Sequence, residues 1–591
     1  MADSQSWSAR RMRWMNRLHA RLCTRAATAT AFKLQPEPRT VGSYARGRQL
    51  VAGNLQFAGH LLEARGAMLW DLDPPDAAFE EEIHGFAWLD DLAAVGDPAA
   101  REVAQRWLWG WITRYGKGQG PGWVPELTGR RLIRWIHHAI FLLRGIERPQ
   151  SQAFFRILAQ QTEFVGRRWQ ATPPGVARFE ALTGLLYAGL SLDGMERHVL
   201  PARRALSEEC RIQVDDQGGI PTRNPEELLE VFTLLTWACS SLDEAGKLPE
   251  EPHMAAIDRI APTLRTLRHS DGGLARFHGG GRGLDGRLDQ ALAMSGAKNR
   301  HADGLAMGYA RLSAGRTSVV IDAAAPPSGA ASLKAHASTL AFELTSGRRP
   351  LIVNCGSGAV FGEDWRRAGR ATPSHSTLTL DGYSSARLGK PGMIGATRHE
   401  ALEDTPREVP IQITHAPDGI RFEGGHDGYR KTHGLTHVRT LEMTFDGRAI
   451  VGEDLLMSLD DPDQRLFDRR LDASGLEGVP FSIRFHLHPE IDSTLDMGGT
   501  AVSMALRSGE IWIFRHEGSA EMTLEPSVYL EKGRLRPRAT KQVVLSGRAM
   551  EYATRIRWSL AKPQDTAVAI RDLARDDIEL PTLSRPGTAD T

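Results

Sequence analysis

The spacing of apolar residues changes once along this chain of 591 residues, and that change limits what the chain can fold into. From about Phe57 to Gly280, Leu, Ala and Trp recur at intervals of three and four, the period of helices that bury one face. In "AAREVAQRWLWGWITRYG", Val103, Trp107 and Trp111 are spaced by four. In "GRRLIRWIHHAIFLLRGI", Leu132, Trp135, Ile136, Ile140 and Leu143 share one apolar face. "NPEELLEVFTLLTWACSSL" has the start signals of a helix: Asn224 as N-cap, Pro225 in the first turn, and Glu226 and Glu227 at the positive end. Helices of this length joined by Gly- and Pro-bearing loops predict an array of helical hairpins, too irregular for a short repeat.

After about residue 300 the period becomes two. "TSVVIDA", "STLAFEL", "PLIVNCG", "STLTLDG", "IRFEGGH", "HVRTLEMTF", "AIVGEDLLM", "FSIRFHLH", "EIWIFRHE" and "QVVLSG" are short alternating runs separated by turn residues. Many strands without intervening helices predict an antiparallel β-sandwich. The expected organisation is a basic segment over 1–50, a helical domain over 51–280, a glycine-rich linker over 281–300, a β-sandwich over 301–575 and a disordered tail over 576–591. A chain this long is expected to hold more than one core.

Lys and Arg number 73 and Asp and Glu 72, so no overall basic field favours nucleic acid. The cysteines Cys23, Cys210, Cys239 and Cys355 are far apart and give neither a zinc ribbon nor a disulfide framework. "GGGRG" is no phosphate-binding loop, because no G-K-[ST] follows, and no G-x-S-x-G elbow occurs.

The N-terminal stretch stands apart. In "SARRMRWMNRLHARLCTRAATATAFKL", Arg10, Arg11, Arg13, Arg17, Arg21 and Arg25 occur without one acid, and Trp14 and Leu18 lie on a neighbouring helical face. Such a basic amphipathic helix suits contact with an anionic membrane surface, or packing on the following domain. No apolar export-signal core follows and no run of 18 apolar residues exists, which argues against a spanning segment. Cytoplasm and periplasm both stay open as compartments.

Several stretches together resemble the heparinase II/III family of polysaccharide lyases. They are "GYARLSAGRTSVVIDA", "HASTLAFELTSGRRPLIVNCG", "WRRAGRATPSHSTLTLDGYSS", "GHDGYRKTHGLTHVRTLEM" and "IRFHLHP" in the second half, with "HGFAWLDDL" and "DDQGGIPTRNPEELLE" in the first. The resemblance implies an (α/α) toroid followed by an antiparallel β-sandwich, with a substrate groove between them. It also implies cleavage of a uronate-containing glycan by β-elimination. That reaction needs the carboxylate neutralised, the C5 proton removed and the leaving oxygen protonated.

The resemblance and the chemistry of the residues themselves together supply the site expectations. Lys334, His336, His375 and Tyr309 are the catalytic candidates. Arg223, Asn224, Arg178, Glu180, Trp88, Arg367 and Arg370 are the substrate-binding candidates. His336, Asn354 and His375 stand where metal-bearing relatives have a His, Asp and His cluster; they read either as a site for zinc or calcium or as a metal-free, hydrogen-bonded polar cluster at strand ends. Two departures weigh on the chemistry. Lys334 replaces a histidine expected beside the substrate, and Asn354 replaces the metal carboxylate. The tyrosine expected after the D-G-G segment is also missing; Tyr187 is the nearest in the preceding helix and looks like core. The alternative is a glycan-binding or envelope-associated protein that has lost elimination. His486 and His488 are two apart on one sheet face, a spacing that suits either chelation or packing.

Overall fold

The structure, a computed structural model, describes residues 7–25, 29–298, 300–302, 304–394, 397–564, 566–567 and 572. The expected tail over 576–591 lies outside the described residues.

The first half is helical, as its period requires. Local chemistry fixes where helices start. Asp97 caps Pro98–Tyr115 by accepting from Ala100 N–H at 2.7 Å, and Asp76 caps Ala77–Gly85 through Phe79 N–H at 2.8 Å. Trp88, Trp107, Trp111 and Trp135 form one buried aromatic cluster, with edge contacts at 5.1 Å between Trp88 and Trp107 and 5.5 Å between Trp111 and Trp135. Helices Pro125–His137 and Val176–Ser191 cross at glycines. A Cβ on Gly129 would stand 2.4 Å from Glu180 O, and one on Gly184 would stand 2.3 Å from Gly129 O. That close approach sets Glu180 beside Arg130.

One expectation changes here. The helix anticipated across "GRRLIRWIHHAIFLLRGI" breaks at His138, whose ring bonds Asp90 Oδ1 at 2.9 Å and Thr40 Oγ1 at 3.0 Å. Beyond the break Ile140 turns out to solvent, leaving the apolar face. The segment before residue 50 packs on the following domain, one of the two readings its sequence left open. Tyr44–Ala52 packs against Trp88–Val95, where a Cβ on Gly47 would sit 2.2 Å from Asp91 O.

The 281–300 stretch holds a helix, Arg287–Ser295, rather than open linker. Ahead of it Gly279 and Gly280 are packed. A Cβ on Gly280 would lie 2.5 Å from the Asn224 side-chain oxygen.

The second half is an antiparallel sandwich. Among the described residues it has two eight-stranded sheets. One runs Glu521–Tyr529, Arg538–Ala549, Val479–Leu487, Arg349–Val353, Phe342–Ser346, Thr317–Asp322 and Tyr309–Ala314, with Leu378–Leu380 also on Val479–Leu487. The other runs Ile411–Ala416, Gly419–Tyr429, Leu435–Thr444, Ala449–Met457, Ala553–Ala561, Ile511–Glu517, Ala501–Ala505 and Asp492–Asp496. Their inner faces share a core that includes Phe342, Phe485, Phe514 and Trp558. Helices Glu363–Arg370 and Asp461–Ala473 interrupt the strands, which alternation alone did not signal. Met307, Tyr309, Val320 and Ala341 join the helical core, so the two halves meet through apolar packing.

Candidate functional site

His336 follows the short helix Gly329–Lys334, and His375 follows the turn Thr372–Ser374. The two rings meet, Nδ1 of His336 lying 3.0 Å from Nε2 of His375. Their proton positions follow from the other partners. Nδ1 of His375 lies 2.9 Å from Ala371 O, a pure acceptor, so it carries the proton. Nε2 of His375 then accepts, and His336 Nδ1–H donates. Neutral His336 is left with a lone pair on Nε2. Burial first, then His375 and His278, holds the His336 imidazole well below its usual range, and burial lowers His375 to about 4.

A third histidine completes the group. His336 backbone N–H donates to His278 Nδ1 at 3.1 Å, which leaves the His278 proton on Nε2, 3.4 Å from Asp322 Oδ2. Asp322 is fully buried and also accepts from Ser338 at 2.7 Å. His278 and Asp322 were not singled out from sequence. The readable signal was an aspartate ending the buried run "TSVVID".

Of the two readings, the donors form the hydrogen-bonded cluster and do not fit a metal. The Nδ1 and Nε2 atoms that face each other are already hydrogen-bonded. The Asn354 side-chain oxygen accepts from Ser376 N–H at 3.0 Å, and its amide lies toward Glu343 at 3.5 Å. Among the described residues no group of three His, Cys, Asp or Glu side chains is arranged to hold a metal. His486 bonds Ser527 at 2.8 Å and Pro373 O at 3.0 Å, while His488 packs on the Tyr529 ring at 5.0 Å.

The other candidates are mostly committed elsewhere. All five N–H donors of Arg223 are used: on Met307 O, on Ala324 O and Ala325 O, on Gly308 O, and on Asp322 at 2.5 Å. No donor is left for a sugar carboxylate, so Arg223 clamps the toroid to the sandwich. Tyr309 is fully buried and donates to Arg223 O at 2.6 Å, and burial pushes its phenol well above the usual value. Asn224 caps its helix through Glu226 and Glu227 N–H at 3.0 and 3.2 Å and donates to His278 O at 3.2 Å.

Arg178 pairs with Glu209 at 3.2 Å and donates to Thr172 O at 2.7 Å. Glu180 takes a bidentate bond from Arg130 at 2.7 and 2.8 Å. Trp88 is core and donates to Ile83 O. Buried Arg370 holds Ala335 O, Ser332 O and Glu400 O, each at 2.8 Å, and so fixes the His336 loop. Arg367 pairs loosely with Glu400 at 3.5 Å and stays half exposed. Tyr187 is core and donates to Trp237 O at 3.1 Å.

Lys334 is the exposed cation beside His336. It pairs with Glu227 at 3.0 Å, and that carboxylate raises its pKa. A lysine held more firmly protonated is no general base.

The toroid rim facing the sandwich is acidic. Glu126, Glu226 and Glu227 lie in the first turns of their helices, where the helix dipole favours them, and Glu180 and Glu230 follow in the second turns. Glu81 adds its charge: with Glu180 it raises the Glu126 carboxyl, which burial pushes to about 7. Arg130, Arg287, Lys334 and Lys532 answer them, four cations to six carboxyls.

Residues 296–559 match the family described as Heparinase II/III-like, C-terminal. The sandwich is a heparinase II/III-like domain. Heparinase III superposes with a TM-score of 0.64 at 12% identity, over 93% of this chain and 89% of that one. A mutant of the heparan sulfate lyase HepC from Pedobacter heparinus gives 0.55 at 14% identity, over 94% and 88%. The chain therefore shares the toroid-plus-sandwich fold of these two structures. FtsZ-localized protein C of Caulobacter vibrioides is 29% identical over 540 residues, 89% of each chain.

Proposed function

We propose that this protein uses the lyase scaffold to bind a glycan without eliminating a uronate. The observation that carries the reading is the Arg223 guanidinium, whose five donors all end on the sandwich. Elimination needs a cation or amide on the substrate carboxylate. Arg223, Asn224 and Asn354 are occupied, and Lys334 answers Glu227. His336 keeps a lone pair but is a weak base in its buried place. The carboxyl-rich rim disfavours a polyanion and suits hydroxyl or amino groups of a neutral or amino-sugar glycan. The test is a panel of uronate polymers and neutral glycans, followed by near-ultraviolet absorbance and by retention. Saturable retention on the uncharged glycans with no unsaturated uronyl product is expected. Product formation that His336→Ala abolishes would establish a lyase instead.

A second part of the reading is contact with a membrane surface. Helix Trp7–Cys23 buries Asn16, Ala20 and Cys23 on the toroid, with Asn16 accepting from Arg168 at 2.9 Å. Its opposite face leaves Trp7, Trp14, Leu18 and Leu22 exposed, bordered by Arg10, Arg17 and Arg21. Apolar residues edged by arginines suit an anionic lipid surface. No described helix is long and apolar enough to cross a membrane. The Caulobacter relative is named for its place with FtsZ, which fits work at the inner surface of a dividing cell.

A further inference from the structure

One turn of the sandwich holds two separate parts of the toroid. The Lys532 ammonium pairs with Glu226, in the first turn of helix Pro225–Glu244. The next carbonyl, Gly533 O, accepts from Gln56 Nε2 at 2.8 Å. Gln56 lies in the hairpin of strands Asn54–Phe57 and His60–Glu63, far from that helix in sequence. Two adjacent residues thus bridge the hairpin to the helix. The loop ahead of Arg287–Ser295 fills the same corner. Gly281 N–H donates to Glu226 Oε2 at 2.8 Å, and a Cβ on Gly281 would lie 3.3 Å from Lys532 Cδ.

The tip of the hairpin touches the sandwich a second time. A Cβ on Gly59 would stand 2.4 Å from Val360 O, and Gly59 has a φ of 84°, so the approach is backbone on backbone. Packing behind the tip holds it there. Ala58 N–H donates to Glu82 at 2.5 Å, Phe57 meets the edge of Phe79 at 5.4 Å, and His60 lies 3.0 Å from Asp76. Elsewhere the rim is open. Among the described residues, Glu126, Arg130 and Glu180 make no hydrogen bond or ion pair with the sandwich. Arg130 gives Nε and Nη2 to Glu180, and its Nη1 keeps its donors free.

We propose that the Lys532–Gly533 turn and the hairpin form the blind end of the toroid–sandwich groove, so that the groove takes the terminus of an N-acetylated amino-sugar chain and not its interior. The inference rests on the glycan reading above and adds which part of the glycan is held. A chain running on past the open rim meets Lys532 and Gly533 in the gap between hairpin and helix. The open side supplies both halves of the recognition. The Glu126 and Glu180 carboxyls accept from hydroxyl and amide N–H groups, and Arg130 Nη1 donates to an acetyl carbonyl. Gln56, Gly59 and Lys532 are then residues that set specificity by closing the groove, without touching the sugar.

The experiment is calorimetric titration of the full chain with N-acetylglucosamine oligomers and with soluble glycol chitin fractions of increasing length. One protein per glycan chain is expected at every length, with an affinity per chain that does not change. Gly59→Asn should raise the number bound per long chain above one. Asparagine accepts a positive φ, while its Cβ cannot share the space of Val360 O and lifts the hairpin. Gln56→Ala removes a single bond of the closure and should act in the same direction with the melting temperature unchanged. A number that grows with chain length in the unaltered protein would overturn the blind end and leave the glycan reading standing. So would variants that fold and still bind one per chain. Absence of heat with oligomers and polymer alike would overturn the sugar and the blind end together, and retention on the wider glycan panel would then decide the glycan reading by itself.

Discussion

Arg223 and Asp322 meet at 2.5 Å across the toroid–sandwich junction, the carboxylate fully buried and the guanidinium nearly so. Around them Tyr309, His278 and Ser338 use the remaining lone pairs and ring faces. Removing one member leaves the other as a buried charge without its counter-ion. Arg223→Ala should therefore cost about 3–5 kcal/mol in urea unfolding. Arg223→Lys should recover little, since one ammonium cannot span five acceptors. A stable Arg223→Ala that only lost glycan affinity would return this residue to the substrate.

Asn224 was a candidate sugar contact and also a candidate cap, and geometry separates the two. It accepts from two N–H groups of its own helix. Asn224→Ala should lower stability by about 1–2 kcal/mol. Asn224→Asp should keep most of the cap and lose only the bond to His278 O. Equal losses in both variants would contradict the capping role.

Much of the architecture was readable because it rests on period. Val103, Trp107 and Trp111 are buried as their spacing requires, and "AIVGEDLLM" is the strand Ala449–Met457. The site was less readable for a physical reason: a side chain's role depends on which donors its neighbours have already taken. Arg223 looks like a free cation in "TRNPEE", and only the fold brings Gly308, Asp322 and Ala325 to it. The closure of "HGGGRG" onto Asn224 and Lys334 was hidden likewise, since glycine signals both looseness and close approach.

The Lys334–Glu227 pair tests the same idea at the surface. The lysine side chain is 74% exposed, so solvent screens the pair. Lys334→Ala should shift stability by under about 1 kcal/mol. It should leave the His336–His375 contact intact, checked by the imidazole signals in NMR. A loss of several kcal/mol would mean the pair ties the domains together.

The outer face of Trp7–Cys23 predicts vesicle binding. Full-length protein should sediment with vesicles of anionic lipid and stay free with neutral ones, weakening as salt rises. Trp14→Glu and Leu18→Glu should each abolish sedimentation without moving the melting temperature, because both side chains face solvent. A melting temperature that fell with binding intact would show that this face serves packing.

Buried neutral histidines set the acid limit of the fold. Burial lowers His375, His253 and His433 to about 4, and His84, His137 and His486 to about 3. The unfolded chain would protonate the same rings near their ordinary value of 6.5. Between those values the unfolded state binds more protons, so stability rises with pH across that window. The contribution is complete above pH 6.5 and is lost as pH falls toward 4. Each ring that stays neutral can add up to about 1.4 kcal/mol per pH unit to the slope. Urea midpoints measured at pH 7, 5.5 and 4.5 (about, and at constant ionic strength) should fall steeply below 6.5. His375→Gln should make the fall shallower by about one proton. A flat profile down to pH 4.5 would mean that these rings gain protons freely in the folded state, which the proton order from Ala371 O through His375 to His336 does not allow.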